Sequence, residues 1–311
     1  MKQARAAIEQ GSHSFAVASK LFDRTTRERA WLLYAWCRRC DDIADNQDMG
    51  GPPGAQGDRK DASDRVQAIR ALSQCAFDRQ ITADPAFDGF GLVAQECGLT
   101  MELADDMIAG FALDAARWAP ASEAELLRYC YHVAGSVGVM MARVMGADPD
   151  DGETLDRACD LGLAFQMANI ARDVVEDAAI GRCYLPASWL SDIGLEPGQH
   201  ALPENRRALA RLMPRLVALI ERHERASRLG TVRLRLRQRW AVLAAANIYG
   251  AIGRKLRARG ARAWDRRTRV SRLEKLWHIV AALVEALVNR PAAPAEPISW
   301  TRHDFRPVAG W

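Results

Sequence analysis

Runs in which apolar and polar residues alternate, the pattern typical of a β-strand, are scarce in this 311-residue chain. One such run, Val232–Trp240, leads directly into the alanine-rich segment Ala241–Tyr249, so we interpret it as the lead-in or start of a helix. Elsewhere apolar residues recur at helical spacing, as in Arg27–Asp45 and Leu161–Asp177. The scarcity of strand patterns argues against a β-rich fold and predicts an all-α protein.

Long uninterrupted apolar runs are also missing. A membrane-spanning helix needs about 20 consecutive apolar residues, and no segment reaches that length. The nearest is Leu276–Val288, which contains His278 and Glu285 and is flanked by basic residues. We expect this segment to be a core helix in the first place, and a shallow peripheral membrane contact in the second.

The seven cysteines have no regular pairing, so we interpret them as reduced thiols of a cytosol-like compartment. Cys37 and Cys40 form a C-x-x-C pair, but no second C-x-x-C or Cys/His pair completes a zinc site. No charged-then-apolar signal segment opens the chain. We therefore expect a cytoplasmic protein, with contact at the inner face of the membrane as an option.

The net charge of +4 is small, but arginine is concentrated between Arg206 and Arg272. Such a basic segment can face nucleic acid, anionic lipid or a phosphorylated substrate, and most of its arginines fit a solvated helix face. Nucleic-acid binding rests on this stretch alone, and retention on heparin without Mg²⁺-dependent turnover would favour it. We expect no nucleic-acid partner.

Glycine and proline divide the chain without separating independent domains. Gly181–Pro203 contains three prolines and three glycines, which predicts irregular structure. Arg290–Pro297 is proline-rich and leads into the end of the chain. We therefore predict one helical domain over residues 1–290 and a proline-rich tail over residues 291–311, which is a candidate for flexibility.

Two acidic motifs carry the chemistry of the sequence: Asp41-Asp42-Ile-Ala-Asp45 and Asp173-Val-Val-Glu-Asp177. Each has the form D-x-x-x-D, and residues at i and i+4 lie on one helix face about one turn apart. Like charges at this spacing destabilise an isolated helix by roughly 0.2–0.5 kcal/mol per pair, which indicates a compensating cation. Oxygen-only ligands favour a hard ion, and Mg²⁺ binds through a few carboxylates together with substrate phosphates.

Polar residues continue each motif towards the amino end of its helix. In each motif these residues form one stripe at helical spacing. The first stripe is Tyr34, Arg38, Asp41 and Asp45, and the second is Gln166, Asn169, Asp173 and Asp177. Both stripes lie in otherwise apolar segments, where unpartnered polar groups would be costly to bury. Arg38 and Arg172 stand beside the carboxylates and can bind a diphosphate in bidentate fashion.

A single D-x-x-x-D motif is most often a solvated acidic face. Two copies, 132 positions apart and each on a largely apolar helix with an arginine nearby, favour a paired metal site instead. Two such helices around one cavity suit the ionisation of an allylic diphosphate. Cations neutralise the leaving group, and apolar walls keep water from the carbocation.

Two long strings resemble the signatures of the squalene/phytoene synthase family. Tyr34-Ala-Trp-Cys-Arg-Arg-Cys-Asp-Asp-Ile-Ala-Asp45 resembles the first, and Phe165-Gln-Met-Ala-Asn-Ile-Ala-Arg-Asp-Val-Val-Glu-Asp177, followed by Gly181-Arg-Cys-Tyr-Leu-Pro186, resembles the second. Shorter matches are Ser12-His-Ser-Phe15, Tyr129 with Val133-Ala-Gly-Ser-Val-Gly138, and Asn247-Ile-Tyr249. The resemblance covers about Ser12 to Leu287. Within the family, the sequence from Ser14-Phe15 through Ala18-Ser-Lys-Leu-Phe22 is most similar to that of bacterial phytoene synthases.

The resemblance implies a role for each matching residue. The ligands of the metal ions would be Asp41, Asp45, Asn169, Asp173 and Asp177. The residues that contact diphosphate or line the same region would be Arg38, Arg172, Ser12, Ser14 and Gln166. Arg267 is a further candidate, because the basic stretch Arg262–Arg272 falls where the family carries diphosphate-binding residues.

Aromatic residues complete the implied site. Tyr34, Tyr129 and Tyr249 match family tyrosines near the reacting centre, where a hydroxyl can steady a diphosphate or relay a proton and a ring can stabilise a cation. Without the resemblance, core packing would be the better interpretation of Tyr129 and Tyr249. Phe15 fits a cavity wall and the plain core equally well.

The resemblance also implies the fold and the reaction. The fold would be an isoprenoid synthase bundle of helices around a central cavity. The reaction would join two geranylgeranyl diphosphates head to head through prephytoene diphosphate, giving 15-cis- or all-trans-phytoene and diphosphate, as a step of carotenoid biosynthesis. We expect Mg²⁺ as cofactor, with Mn²⁺ as an alternative, and no NADPH. The lack of a glycine-rich nucleotide fingerprint agrees only weakly, since squalene synthases lack it too.

Several alternatives stay open. A squalene or dehydrosqualene synthase using farnesyl diphosphate would differ in cavity length, which the sequence does not reveal. A 1′-4 chain-elongating prenyltransferase fits less well, because its motifs usually read D-D-x-x-D and only Asp41–Asp45 satisfies that pattern. A non-catalytic assembly factor on the same fold predicts missing carboxylates or arginines, and here all are present.

Overall fold

The computed structural model describes residues 1–11, 13–46, 59–291 and 298–306; of residues 13, 14, 59 and 60 it describes the backbone. These residues form helices and no β-strand, which confirms the all-α prediction. The α-helices are α1 (Lys2–Gly11), α2 (His13–Ser19), α3 (Arg24–Ala44), α4 (Arg59–Phe77), α5 (Pro85–Cys97), α6 (Met101–Ala115), α7 (Glu123–Cys130), α8 (Ser136–Val144), α9 (Gly152–Ala179), α10 (Ala187–Asp192), α11 (Arg206–Ala210), α12 (Met213–Gly230), α13 (Leu236–Arg259) and α14 (Arg272–Val288). Shorter turns are the π-helical Tyr131–Gly135 and the 3₁₀ turns Pro203–Asn205, Thr231–Arg233, Gly260–Arg262 and Arg302–Phe305.

Two local predictions have different outcomes. The alternating segment Val232–Trp240 is the lead-in and start of helix α13, as predicted. The prediction of irregular structure over Gly181–Pro203 is wrong in its middle, where α10 forms. Trp189 and Leu190 of α10 are fully buried, and this apolar anchoring outweighs the surrounding turn residues.

Helix α3 carries the first acidic motif at its carboxyl end. The helix begins after Asp23, whose carboxylate caps it by accepting hydrogen bonds from the backbone N–H (3.0 Å) and the hydroxyl (2.7 Å) of Thr26. Trp36 is fully buried, stacks on Phe90 of α5 with ring centroids 4.1 Å apart, and donates to the Ser73 hydroxyl at 3.1 Å. These contacts fix the direction in which α3 presents its acidic end.

Helix α9 is the 28-residue centre of the bundle and carries the second motif at its carboxyl end. Asp151 caps its start by accepting from the Thr154 hydroxyl at 2.6 Å. Gly138 of α8 and Gly162 of α9 allow α9 to pack closely against α8 and the π-helical turn before it, because a Cβ at Gly138 would collide with the carbonyl of Ala158 and a Cβ at Gly162 with that of Ala134. The close packing places one wall of the cavity described below.

Two large clusters of buried side chains make up most of the core. One surrounds α9 and α12, and the other joins α3, α5 and α6. Between them lies a cavity whose walls come from α2, α3, α8, α9 and α13. The acidic ends of α3 and α9 therefore border a space that the bundle itself creates.

Part of the predicted tail packs against the bundle. Trp300 donates its indole N–H to Asp160 of α9 at 2.8 Å, and Arg302 pairs with Asp156 at 2.6 Å. Phe305 is buried near His223 of α12. Residues 298–306 thus belong to the folded body, whereas residues 292–297 and 307–311 of the predicted tail lie outside the described residues.

Candidate active site

Both acidic motifs occupy the last turns of their helices. Asp41 lies in the last turn of α3 and Asp45 caps its end, while Asp173 and Asp177 lie in the last two turns of α9. Neither helix has a basic residue in its last turn. Negative charge is unfavourable there, because the helix macrodipole already makes the carboxyl end negative. Two helices that break the same local rule indicate a functional site.

Arg182 joins the two motifs across the bundle. It follows α9 in the chain, yet its guanidinium reaches Asp45 of α3, with Nη2 2.5 Å from Oδ1 and Nη1 3.3 Å from Oδ2. Burial opposes the charge, but Asp114, Tyr184 and Asp45 together raise the pKa of Arg182 above its ordinary value. A permanent positive charge therefore stands between the carboxyl ends of α3 and α9.

A third carboxylate, Asp114 near the end of α6, accepts hydrogen bonds from the hydroxyls of Tyr184 (2.9 Å) and Tyr129 (3.2 Å). Burial raises the pKa of Asp114 to about 6. The Tyr129 ring is buried between Trp118 and Tyr184, with centroids at 5.9 and 4.7 Å. Tyr129 therefore steadies Asp114 and does not line the cavity.

The first motif is closely paired with its own arginine. Nη1 of Arg38 lies 2.5 Å from Asp41 Oδ2, and Nε lies 3.5 Å from Asp42 Oδ1. Burial raises the pKa of Asp41 to about 6, with Asp45 and Asp42 adding to the effect and Arg38 opposing it. Arg38 thus lies beside the carboxylates, one turn after the cavity residue Tyr34, and its role as a diphosphate ligand stays a prediction.

The second motif gathers two arginines on one carboxylate. Arg172 Nε lies 2.7 Å from Asp173 Oδ1, and Arg267 Nη2 lies 2.9 Å from Asp173 Oδ2. Asp177 makes no ion pair with the described residues, and burial and then Asp173 raise its pKa to about 7. The arginine-rich segment before α14 therefore reaches the site through Arg267.

The cavity has a volume of about 320 Å³, within the range of small-molecule sites. Its α9 lining runs from Thr154 to Asn169, which spans ~22 Å at the rise of an α-helix. Gln166 and Asn169 mark the end nearest Asp173, and the walls are otherwise dominated by apolar side chains. The result is a long apolar chamber with the acidic motifs at one end.

Aromatic rings line the polar end of this chamber. Tyr249 stacks on Phe165 with ring centroids 4.0 Å apart, and Phe15 lies 5.9 Å from the Tyr34 ring. Burial raises the pKa of Tyr34, so its hydroxyl stays protonated at neutral pH. Phe15, Tyr34 and Tyr249 are thus cavity residues. Ser12 lies outside the described residues, and the Ser14 side chain does so too.

The donor set fits a hard divalent cation. Asp41, Asp45, Asp173, Asp177 and the Asn169 amide offer oxygen ligands, and burial followed by neighbouring carboxylates raises the pKa values of Asp41 and Asp177, both of which a bound cation would oppose. Among the described residues no three acidic, histidine or cysteine side chains converge on one point. An ion would therefore take a few carboxylates from this set and its other ligands from phosphate and water, which is how Mg²⁺ commonly binds.

Sequence reasoning missed Asp114, Arg182 and Tyr184 as site residues. Arg182 and Tyr184 could have been predicted from the sequence, because they belong to the string Gly181–Pro186 that follows the second motif. Asp114 gives no signal in the sequence, because it stands alone in α6 and reaches the site through the packing of that helix.

Comparisons with known proteins agree with this geometry. The family model for squalene/phytoene synthase matches residues 8–274. A phytoene synthase of Pseudescherichia vulneris is 48% identical over 88% of this chain and 88% of its own length. A 15-cis-phytoene synthase of Enterobacter agglomerans is 45% identical over 95% of this chain and 99% of its own length.

A crystal structure of a dehydrosqualene synthase in complex with ligand superposes with a TM-score of 0.80 and 24% identity, covering 92% of this chain and 95% of that one. This likeness concerns the fold alone, and it confirms the predicted isoprenoid synthase bundle. The family model and the two bacterial relatives establish that the chain belongs to the squalene/phytoene synthase family.

Proposed function

We propose that the chain joins two geranylgeranyl diphosphates head to head to give 15-cis-phytoene and diphosphate, a step of carotenoid biosynthesis. This proposal rests on the long apolar cavity. At one end of the cavity lie the acidic carboxyl ends of α3 and α9, each paired with arginine. Identities of 48% and 45% to bacterial phytoene synthases support the choice of product.

In the first half-reaction, one substrate loses diphosphate by cleavage of its allylic C–O bond. Arg38, Arg172 and Arg267 would bind the departing diphosphate, exchanging their present carboxylate partners for phosphate oxygens. Mg²⁺ held by the carboxylate set, or Mn²⁺ in its place, would supply charge neutralisation for the leaving group. The double bond of the second substrate captures the allylic cation, and loss of a proton closes the cyclopropane of prephytoene diphosphate.

In the second half-reaction, prephytoene diphosphate loses its own diphosphate and the cation rearranges to the 1-1′ linkage. Loss of a second proton gives the central double bond of phytoene, so no reductant enters the balance. The stacked Phe165 and Tyr249 rings and the ring of Tyr34 can stabilise the passing cation, and the apolar walls exclude water. Tyr34 and Tyr249 line the cavity, so their hydroxyls would relay the proton in this proposal.

The proposal includes peripheral contact with a membrane, because both substrate and product are hydrophobic. Among the described residues, no helix combines the length and the apolar character needed to cross a bilayer. The contact would therefore be made by a surface rather than by a spanning segment.

The test is incubation of the purified chain with labelled C15 and C20 diphosphates, with and without Mg²⁺ and NADPH, followed by identification of the hydrocarbon. We expect 15-cis-phytoene from the C20 substrate, dependent on the divalent ion and independent of NADPH. Squalene or dehydrosqualene from the C15 substrate as the main product would overturn the choice of substrate. Lack of any turnover would favour an assembly factor on the same fold.

A further inference from the structure

Helix α14 presents its large apolar side chains to solvent and its small ones to the protein. Ala282 and Ala286 are fully buried against α13, whereas Trp277 is 70% exposed and Leu273 81% exposed. The expectation that this segment is a core helix is therefore wrong for one whole face. The exposed residues follow helical spacing and form the α14 stripe: Leu273, Leu276, Trp277, Val280, Val284, Leu287 and Val288.

The stripe is free of unpaired negative charge. The two acidic residues of α14 are both neutralised by the body of the protein: Glu274 pairs with Lys255 at 2.6 Å and Glu285 with Arg228 at 2.8 Å. An isolated soluble helix would normally place such residues on its outer face. Here the outer face of α14 is apolar along its length.

A basic segment continues from the amino end of the stripe. Arg266, Arg269 and Arg272 are exposed and make no ion pair with the described residues. Their neighbour Arg267 reaches into the active site to Asp173. The unpaired arginines, the stripe and the acidic end of the cavity are therefore connected within a few residues of chain.

Only one helix separates the stripe from the cavity. Leu243 and Ala244 of α13 pack towards α14, while Ala241 and Ala245 line the cavity. Trp240 of α13 donates its indole N–H to the backbone carbonyl of Ile279 in α14 at 2.8 Å, which fixes the two helices together. A surface that the α14 stripe touched would thus lie directly beside the cavity wall.

We propose that the α14 stripe, together with Arg266, Arg269 and Arg272, docks the protein on the surface of an anionic lipid bilayer. An amphipathic helix with Trp and Leu on its apolar face and adjacent arginines matches the composition of helices that lie in the membrane interface. The arginines complement anionic headgroups. The choice of a bilayer over a protein partner rests on the proposed function, whose substrate and product both partition into lipid.

The test is flotation of the full-length chain with vesicles of phosphatidylglycerol and phosphatidylcholine, and with vesicles of phosphatidylcholine alone. We expect binding to the anionic vesicles that falls with added salt. The double variant Leu273→Glu/Trp277→Glu should lower the partition coefficient at least about tenfold, because two apolar side chains no longer insert. Ile81→Glu is the matched control, since Ile81 is 90% exposed in the loop between α4 and α5.

A second variant tests the electrostatic part. Replacing Arg266, Arg269 and Arg272 by glutamine should lower the partition coefficient about fivefold for each charge. Arg79→Gln, an exposed arginine next to the control loop, should leave it unchanged. Neither set of variants touches the site residues, so turnover of detergent-dispersed substrate should match that of the parent.

The outcomes separate this proposal from the proposed function. Vesicle binding that both variant sets leave intact, or no binding by the parent chain, would overturn the docking surface even if phytoene is formed. Vesicle binding that depends on the stripe, without formation of phytoene, would support the docking surface and refute the proposed enzymatic function. If the stripe variants instead convert a dimer to a monomer in light scattering, with no binding to vesicles, the surface is a protein interface and the proposal is wrong.

Discussion

The carboxyl ends of α3 and α9 share the spacing D-x-x-x-D, but they are neutralised in different ways. On α3, each outer carboxylate has its own guanidinium: Asp41 pairs with Arg38 from the same helix, and Asp45 pairs with Arg182 from beyond α9. Both outer carboxylates at the α3 end are therefore paired with arginine in this structure. These arginines must leave their carboxylate partners before they can bind phosphate.

On α9, the charges are distributed unevenly. Asp173 takes both Arg172 and Arg267, while Asp177 takes neither and has a pKa raised to about 7 by burial and by Asp173. One carboxylate is thus doubly paired, and the other makes no ion pair with the described residues. Under the proposed function, a bound metal ion would therefore offset more unpaired negative charge at the α9 end, whereas both outer carboxylates of the α3 end are already paired with arginine. Four predictions test this contrast.

The largest effect is expected when an outer carboxylate is removed. Asp41→Ala and Asp173→Ala should each lower turnover by about 10³-fold or more, because each deletes a predicted ion ligand and misplaces the arginine beside it. The thermal midpoint should change little, because removing a negative charge from a helix carboxyl end offsets part of the cost of breaking the pair with the neighbouring arginine. Product assays and thermal melts measure the two quantities.

Asp192→Ala is the control for these variants, because Asp192 is exposed and forms only a long surface pair with Arg215 at 3.4 Å. It should keep full activity. Parent-level turnover in either Asp41→Ala or Asp173→Ala would refute the proposed ligand set.

The next effect concerns the residue that links the two ends. Arg182→Met should lower turnover roughly 10–100-fold and the free energy of unfolding by about 2 kcal/mol, because the buried ion pair with Asp45 is broken and Asp114 loses the charge that favours its ionised form. Denaturant unfolding and product assays measure both. Arg182→Lys should recover only part of the loss, since an ammonium group cannot reproduce a two-nitrogen contact.

A surface pair provides the comparison for Arg182. Arg70→Met breaks the exposed contact with Asp105 at 2.8 Å and should cost less than about 1 kcal/mol, with no loss of turnover. If Arg182→Met behaves like Arg70→Met in both measurements, the ion pair between Arg182 and Asp45 contributes neither to turnover nor to stability.

The inner acidic residues of the motifs provide a smaller contrast. The Asp42 side chain is 4% exposed and lies 3.5 Å from Arg38 Nε, whereas Glu176 is exposed. Asp42→Asn should therefore cost about 1–2 kcal/mol of stability and lower turnover about tenfold through the position of Arg38. Glu176→Gln should change neither quantity. Equal effects of the two substitutions would show that the inner residues have equivalent roles.

This contrast also shows where sequence reasoning stops. The i,i+4 spacing was enough to predict two acidic helix faces, because helical geometry alone fixes which residues share a face. It could not distinguish Asp42 from Glu176, because burial at these positions depends on which neighbour packs against each helix. The family resemblance supplied roles for single residues, but the arginine partners of each carboxylate became visible only in the fold.

Contacts between segments far apart in the chain are also beyond what the sequence predicts. Arg182 meets Asp45 across 137 positions of chain, and no pattern in the sequence encodes that distance. The apolar period of α14 correctly predicts a helix but not its exposure, because periodicity gives the width of an apolar face and not what covers it. Two buried alanines take the place expected for the large side chains.

The smallest expected effect is a pH dependence from Asp114. Its pKa is raised to about 6 in the folded chain, chiefly by burial, against an ordinary value of 3.8. Between these values the folded state binds more protons at this carboxyl than the unfolded state does, so its contribution makes the free energy of unfolding fall as pH rises from about 4 to about 6. Asp114→Asn removes the ionisation and should flatten that slope by an amount on the order of 1 kcal/mol per pH unit. Denaturant unfolding at several pH values, in the absence of divalent ions, measures the slope. A slope identical to that of the parent would mean that Tyr129, Tyr184 and the nearby Arg182 hold Asp114 ionised throughout, and the third carboxylate would then count with the arginine-balanced α3 end rather than with the under-neutralised α9 end.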